Sequence, residues 1–438
     1  MRRIRSATRG RPRLPARLSP RRTRLFAFLG LLGPGLIAAN AGNDAGGIAT
    51  YSQVGAKYGY ELLWTMVLIT ISLGLVQLLA ARMGAVTGKG LAELVREEYG
   101  IRWSVFATSA VLIANTGICI SDFVGIGAAL GLAGVPAQVS VPIAAVGIWL
   151  IIVRGSYRSA ERIFIWFTIP FFAYPIAAVL AHPHWGAVGK ALVVPQLHTN
   201  PAFLVLLIAT TGTTITPYMQ LYLQSAVVEK GSGPRDLWNV RADIVVGSIL
   251  GIAIAGFMII ANAATIHHAA LINHKPPLDI DTPQAVDFAR ALEPLAGHFA
   301  AALFGFGILN AGLFTATVLP LATAFIICEA FGLEAAVDRR FREAPFFYGL
   351  FAGGIVLGAG LVLLLPSDKL FQFTFYAQVM QGAVLPLELV LMLIIINRKR
   401  VMGRYVNSRT VNIIAWTTAV VIGGLAILYV AQTLLGSS

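Results

Sequence analysis

Apolar runs of 18 or more residues recur along the chain, separated by short polar and basic connections. Eleven can be read, at roughly 25–53, 61–81, 103–131, 135–153, 163–181, 202–228, 242–266, 297–328, 346–365, 371–397 and 411–435. Such lengths predict helices that cross a hydrocarbon core of about 30 Å, some of them tilted or interrupted. No connection is long enough for a soluble domain; the longest, His267 to Ala296, contains P-P-L-D-I-D-T-P. The predicted class is an all-α polytopic membrane protein with 11 transmembrane helices.

Two of these runs carry features that a continuous membrane helix does not tolerate well. In the first, Ala39 to Thr50 reads A-N-A-G-N-D-A-G-G-I-A-T. It places Asp44 in the middle of the run, among Asn40, Gly42, Asn43, Gly46 and Gly47. A carboxylate at that depth costs about 2.5–3.5 kcal/mol on insertion scales. A helix that breaks at the Asn/Gly cluster frees carbonyls beside the carboxylate, and oxygen ligands at mid-membrane suit a hard cation. The plainer alternative is a buried Asp satisfied by neighbouring amides. The sixth run repeats the anomaly. Thr210 to Tyr218 reads T-T-G-T-T-I-T-P-Y, and Gly212 and Pro217 bracket a Thr cluster where the helix is expected to break. Five spans run from each break to the end of its half, so the second half is inverted relative to the first. The expected organisation is a first five-helix repeat over 25–181, an inverted one over 202–397, and an eleventh helix over 411–435. Interrupted helices at matching positions of inverted halves mark a transporter's midplane site. The halves share no visible sequence identity, so this inference rests on position.

Composition agrees with the pattern: 57% of the 438 residues are hydrophobic and 12% are charged, against about 25% charged in soluble domains. The net charge of +13 is uneven, with ten Arg and no acid in residues 1–24. An Arg-rich tail before a first membrane helix follows the positive-inside rule and suits anionic lipid, so nucleic acid is not an expected partner. An Arg-rich, acid-free tail also has the composition of a transit peptide. With the N-terminus inside and each span crossing once, inner segments hold 28 of the 33 Lys and Arg. That asymmetry predicts a cytoplasmic tail over 1–24 and a C-terminus outside. All seven His then lie on the outer side, as loop or interfacial residues, with an outer metal-gathering patch as the less favoured reading. Cys119 and Cys328 lie in apolar runs, form no disulfide framework and have no metal spacing. G-K-G at 88–90 lacks phosphate-loop spacing.

Around these residues the chain resembles the Nramp family (natural resistance-associated macrophage protein). The landmarks are G-P-G at 33–35, D-A-G-G at 44–47, Q-V-G-A-K-Y-G-Y at 53–60 and A-A-R-M-G-A-V-T-G-K-G-L-A-E at 80–93. Further matches are H-P-H-W-G-A-V at 182–188, L-Y-L-Q-S at 221–225, Gln378, L-P at 385–386 and M-G at 402–403. The resemblance covers nearly everything after the tail. It implies a LeuT-type 5+5 inverted repeat with helices 1 and 6 broken, plus one extra helix, and transport of divalent metal ions as substrate with no cofactor. By the family pattern Asp44 is the charged ligand, the carbonyl of Thr213 adds an oxygen, and Gln378 approaches the ion on occlusion.

The departures are as informative as the matches. Where the family reads D-P-G-N the chain has Asp44, Ala45, Gly46 and Gly47, so Gly47 replaces the liganding Asn. Where it reads A-x-x-M-P-H the chain has Thr213 to Tyr218, so Thr216 replaces the Met and Tyr218 the His. Of the third helix's carboxylates only Asp122 remains, with Cys119 at the other place. Losing the thioether removes the preference for soft metals. A roomier, all-oxygen pocket, with carbonyls near Gly47, is expected to suit a small hard ion that keeps several waters. This pattern resembles the Nramp-related magnesium transporters. The expected function is import of Mg2+, with Mn2+ also carried, by alternating access and without proton coupling; the alternative is an ordinary proton-coupled Mn2+/Fe2+ symporter. Asn43 is expected to bind water around the ion, and Asp122, Tyr218 and Glu388 are weaker pathway candidates. Asp243 and Glu329, near cytoplasmic ends, are expected to be structural. An intramembrane enzyme would need a metal cluster or a nucleophile–base pair in the spans. The absence of His from the spans argues against one, and a receptor would have no need of a carboxylate between two helix breaks. The expected partners are the cation and the lipid bilayer, in a bacterial plasma membrane, with no obligatory protein partner.

Overall fold

In lipid a backbone has few ways to satisfy its N–H and C=O groups, and the helix is the commonest. The computed structural model describes residues 41–154, 169–272, 285–289, 292–293, 297–333, 343–365 and 370–436, and among them it contains helices and no strand. The described residues fall in one compact unit, 33–438. The tail 1–24 and much of the 267–296 connection lie outside the described residues.

The main helices are α1 (Ala45–Tyr58), α2 (Leu63–Thr87), α3 (Leu91–Tyr99), α4 (Ile101–Gly131), α5 (Ala137–Arg154), α6 (Ala173–Leu180) and α7 (Trp185–Val193). They continue as α8 (Pro201–Thr214), α9 (Pro217–Glu229), α10 (Leu237–Asn262), α11 (Ala300–Phe331), α12 (Pro345–Leu364), α13 (Leu370–Ile396) and α14 (Arg409–Gly436). Local chemistry sets several ends. Asn200 caps α8 by accepting the Phe203 N–H at 2.7 Å, with Pro201 at the first helical position. Gly59 and Gly88 take positive φ where α1 and α2 stop.

Eight helical stretches among the described residues are long and apolar enough to cross a membrane, α8 with α9 counting as one. They coincide with eight of the eleven expected spans. The fourth expected span is α5, whose apolar part, Ala137–Val153, is shorter. The first and fifth lie partly outside the described residues.

The centre is α1, packed against α4, α8, α10, α11 and α13. In turn α4 packs against α11, α12 and α13, and α14 covers α13. On α14, Ile413, Val420, Val421 and Ile427 are exposed, as expected of a face turned to lipid. One backbone contact locates the site. A Cβ on Gly212 would strike Gln378 O and Gly382 N, and one on Gly382 would lie 2.7 Å from Ile208 O. The two glycines let α8 and α13 touch backbone to backbone, one turn from the Gln378 side chain.

Outside the spans, the end of α3 is clamped to the segment after α13. Glu98 accepts from Arg398 at 2.5 Å and Arg400 at 2.7 Å, and the Arg398 guanidinium stacks 4.5 Å from the Tyr99 ring. The hydrogen bond from Arg398 and then that from Arg400 hold the Glu98 carboxyl below the ordinary glutamate pKa. The stabilisation is therefore complete above the ordinary glutamate pKa and is lost as pH falls through the lower folded value. Glu98→Gln is expected to lower the melting temperature of the detergent-solubilised protein by a few degrees at neutral pH. The gap from wild type should close in acid; a gap that stays constant with pH would mean that the Glu98 charge is not its source.

Candidate metal centre

The first break ends at Asp44. Residues Ala41–Asn43 form a single 3-10 turn, and Asp44 takes an extended backbone (φ −66°, ψ 178°) as the N-cap of α1. Its Oδ1 accepts the Gly47 N–H, so the carboxylate satisfies one of the N–H groups that a helix start leaves open. The positive end of the α1 dipole also lies beside this anion. Asp44 is 0% exposed.

The second break is two residues long. Ile215 (φ −107°) and Thr216 (φ −70°, ψ 131°) separate α8 from α9. Its cause is Pro217, which has no N–H to give to the carbonyl four residues earlier, that of Thr213. An acceptor is thereby left at the C-terminal end of α8. Thr216 stands at the N-cap of α9 with its side chain making no capping bond.

The two breaks meet. The Thr213 hydroxyl donates to Gly42 O at 3.1 Å. Tyr51 O–H donates to the same carbonyl at 3.2 Å and lies 2.8 Å from Thr214 Oγ1. A Cβ on Gly42 would lie 2.7 Å from Thr213 O. From α13, Gln378 Nε2 lies 2.9 Å from both oxygens of Asp44. A side chain on Gly46 would block that approach, since its Cβ would strike Gln378 Nε2 and lie 2.7 Å from Ser121 Oγ. The structure thus brings together Asp44, Gly47, Thr213 and Gln378, from three elements distant in sequence.

Several expectations are changed. Gly46 and Gly47 do not lie in the unwound stretch but in the first turn of α1, because the Asp44 cap starts the helix before them. Helix bonding engages the carbonyls there, and Gly46 O also accepts from Thr50 Oγ1 at 2.8 Å. Gly47 therefore contributes an N–H to Asp44, and the carbonyls near it, expected to face the ion, are engaged in helix bonding. The roomier pocket is not found at Gly47 either. A Cβ there would lie 2.7 Å from Thr213 Oγ1, 2.9 Å from Asp44 Oδ1 and closer still to Gly42 O. Oxygens of Gly42, Thr213 and Asp44 occupy the space that a side chain there would take. Asn43 ties the break to α10, its Nδ2 donating to Gly251 O at 3.2 Å.

Asp122 and Tyr218 are each 0% exposed. Asp122 sits on α4 one turn before Gly125, whose missing Cβ admits Ala45, and so lies beside the start of α1. Cys119 points elsewhere, its Sγ 3.4 Å from Gly354 O on α12. Glu388 is not brought to the centre. It lies ten residues beyond Gln378 on α13, about 15 Å along the axis. It lines an apolar cavity with Leu91, Val95, Val111, Leu221 and Ile326, and neither carboxyl oxygen has a hydrogen-bond partner. Tyr51 and Thr214 were missed from sequence. The available signal was spacing, since Tyr51 is seven residues after Asp44 and so on the same face of α1.

Residues 35–432 match the family described as natural resistance-associated macrophage protein-like (Nramp). The chain belongs to this family. Among Nramp relatives, a protein of Klebsiella pneumoniae (strain 342) named divalent metal cation transporter MntH is 29% identical over 416 residues, covering 93% of this chain and 95% of its own. A crystal structure of the Eremococcus coleocola manganese transporter is similar with a TM-score of 0.76 at 19% identity, over 96% of this chain and 88% of that one. Mhp1, described as a nucleobase-cation-symport-1 family transporter in a closed conformation, matches with a TM-score of 0.54 at 14% identity, over 92% of each chain. These likenesses show the fold, an Nramp fold of the broader LeuT type.

Proposed function

We propose that this Nramp protein is an alternating-access importer of divalent metal ions that carries Mg2+ and also Mn2+ without moving protons. The observation that carries the reading is the donor set at the meeting of the two breaks. Asp44 would supply the charge, Thr213 the carbonyl that Pro217 leaves without its helix partner, and Gln378 an amide, with Thr216 in the second break adding a hydroxyl. All are oxygen donors in the loaded state, and none is sulfur. Hard oxygen sets suit Mg2+ and Mn2+, whereas a thioether would favour softer ions. The names of the Klebsiella and Eremococcus relatives, a divalent metal cation transporter and a manganese transporter, support a divalent cargo. They equally support the second reading, a proton-coupled Mn2+/Fe2+ symporter of the ordinary Nramp type. Against coupling stand Tyr218 in place of His and Cys119 in place of an acid. Asp122 adds one carboxylate beside α1, and Glu388 is removed from the centre, so a titratable series across the membrane is thin. The distribution of Lys and Arg supports a cytoplasmic N-terminus.

Energy does not require a second ion. An inside-negative potential favours a divalent cation by about 4.6 kcal/mol per 100 mV, twice the single-charge figure. At about 1.4 kcal/mol per decade that supports roughly a thousandfold accumulation. The test is uptake of Mg2+ and Mn2+ by purified protein in liposomes holding a pH-sensitive dye, with the potential clamped by K+ and valinomycin. Uptake of both ions without lumenal acidification is expected. Acidification that scales with metal influx would establish the symporter instead.

A further inference from the structure

We propose that Gln378 is an internal stand-in for the cargo, its amide N–H occupying the cation's place on Asp44 whenever the carrier crosses the membrane unloaded. The inference rests on Asp44 being the ion's carboxylate. Gln378 Nε2 lies 2.9 Å from Oδ1 and 2.9 Å from Oδ2. A donor equidistant from both oxygens sits on the bisector of the carboxylate, where a cation held by both oxygens would sit. Donor and cation use the same lone pairs, so they alternate. The nitrogen must be the atom facing Asp44, because the amide oxygen there would meet two like partial charges. Gln378 Oε1 is buried with no hydrogen-bond partner. If the side chain draws back and its terminal amide turns over, the donor leaves the carboxylate and this spare acceptor faces an arriving ion. Two backbone features keep the amide in range. The missing Cβ of Gly46 leaves room for it, and the Gly212–Gly382 contact fixes α13 against α8 beside it.

The consequence concerns the return step. A buried carboxylate with neither cation nor proton, left with only the Gly47 N–H on one oxygen, is costly to carry through the membrane. A neutral amide lowers that cost, yet it is weak enough for a divalent ion to displace. An amide therefore does for the unloaded carrier what a proton would otherwise do.

Gln378→Leu and Gln378→Met remove the donor at similar volume, and two variants guard against misfolding of either one. Each is reconstituted and given external Mn2+, with vesicles either free of Mn2+ or preloaded with it. Net uptake requires the unloaded return; exchange between loaded compartments does not. Net uptake should fall about tenfold or more below exchange, the scale of a hydrogen bond to a charged group expressed as a rate ratio. An equal fall in both would mean that Gln378 acts only on the bound ion, and no fall in either that it does not act on Asp44 at all; both overturn the proposal. A wild-type protein that moves no Mn2+, or an Asp44→Asn protein that moves it normally, would instead remove the reading of the site, and this proposal with it.

Discussion

Replacing Asp44 with Asn is expected to abolish uptake of both Mg2+ and Mn2+ while leaving the fold in place. Asp44 is the only carboxylate that the described structure places between the two breaks. Without it the ion would leave its water for carbonyl, hydroxyl and amide oxygens alone. The loss should be at least about a hundredfold, the scale of removing one partner of a buried charge interaction worth roughly 3–5 kcal/mol. Asn is the sharper substitution. It retains an oxygen for the Gly47 N–H, and its amide can pair with that of Gln378 after the latter turns over. Asp44→Ala removes the cap, at about 0.5–2 kcal/mol, and orphans the Gln378 amide, at about 1–3 kcal/mol. Transport lost in both variants, with wild-type elution and an unchanged melting temperature for Asp44→Asn, is the expected result. Wild-type uptake by a monodisperse Asp44→Asn protein would remove the carboxylate from the mechanism.

The breaks were legible in the sequence because their causes are local. Pro217 cannot donate to the Thr213 carbonyl, and a carboxylate set among Asn and Gly in mid-run interrupts an apolar span. The long spans were legible because an apolar run of that length has few other uses. Which side of Asp44 was unwound was not legible. Gly46 and Gly47 read as helix breakers, yet they sit in α1. Their lack of a side chain serves close packing against α4, α8 and α13, a tertiary demand that outweighs local propensity. The hydrogen bond from Asn43 to Gly251 spans 208 positions, and that from Gln381 Nε2 to Asn115 Oδ1 spans 266. Spacing along one helix carries no information about such partners. The Gly212–Gly382 contact is of the same kind: Gly212 reads as one edge of the second break, yet it lies inside α8, and only the crossing of α8 with α13 shows what the two missing side chains admit.

The site should also respond to softness at one position and to volume at another, with opposite outcomes. Thr216 and Gly47 are the two places where the family resemblance implies a side-chain ligand that this chain lacks, and the structure gives the two positions different surroundings. At Gly47 a Cβ would meet Thr213 Oγ1 at 2.7 Å and Asp44 Oδ1 at 2.9 Å, with Gly42 O nearer. One of these is backbone, held by Tyr51 and Thr213, so it cannot move aside cheaply. Gly47→Asn is therefore expected to reduce transport of every divalent ion together, by about tenfold or more if crowding costs the 1–3 kcal/mol typical of overpacking. Thr216 is different. It is buried at a helix start and caps nothing, so its side chain is not needed to hold α9. Thr216→Met puts a polarisable sulfur among the oxygen donors. Uptake of Cd2+ and Mn2+ should rise relative to Mg2+ by about tenfold, the effect of roughly 1.4 kcal/mol of differential binding. Competition of Mg2+, Mn2+ and Cd2+ in the same vesicles reads both variants at once. If Thr216→Met keeps the wild-type ion ranking while Gly47→Asn alters it, then crowding around Asp44, not the softness of the residue before Pro217, chooses the ion.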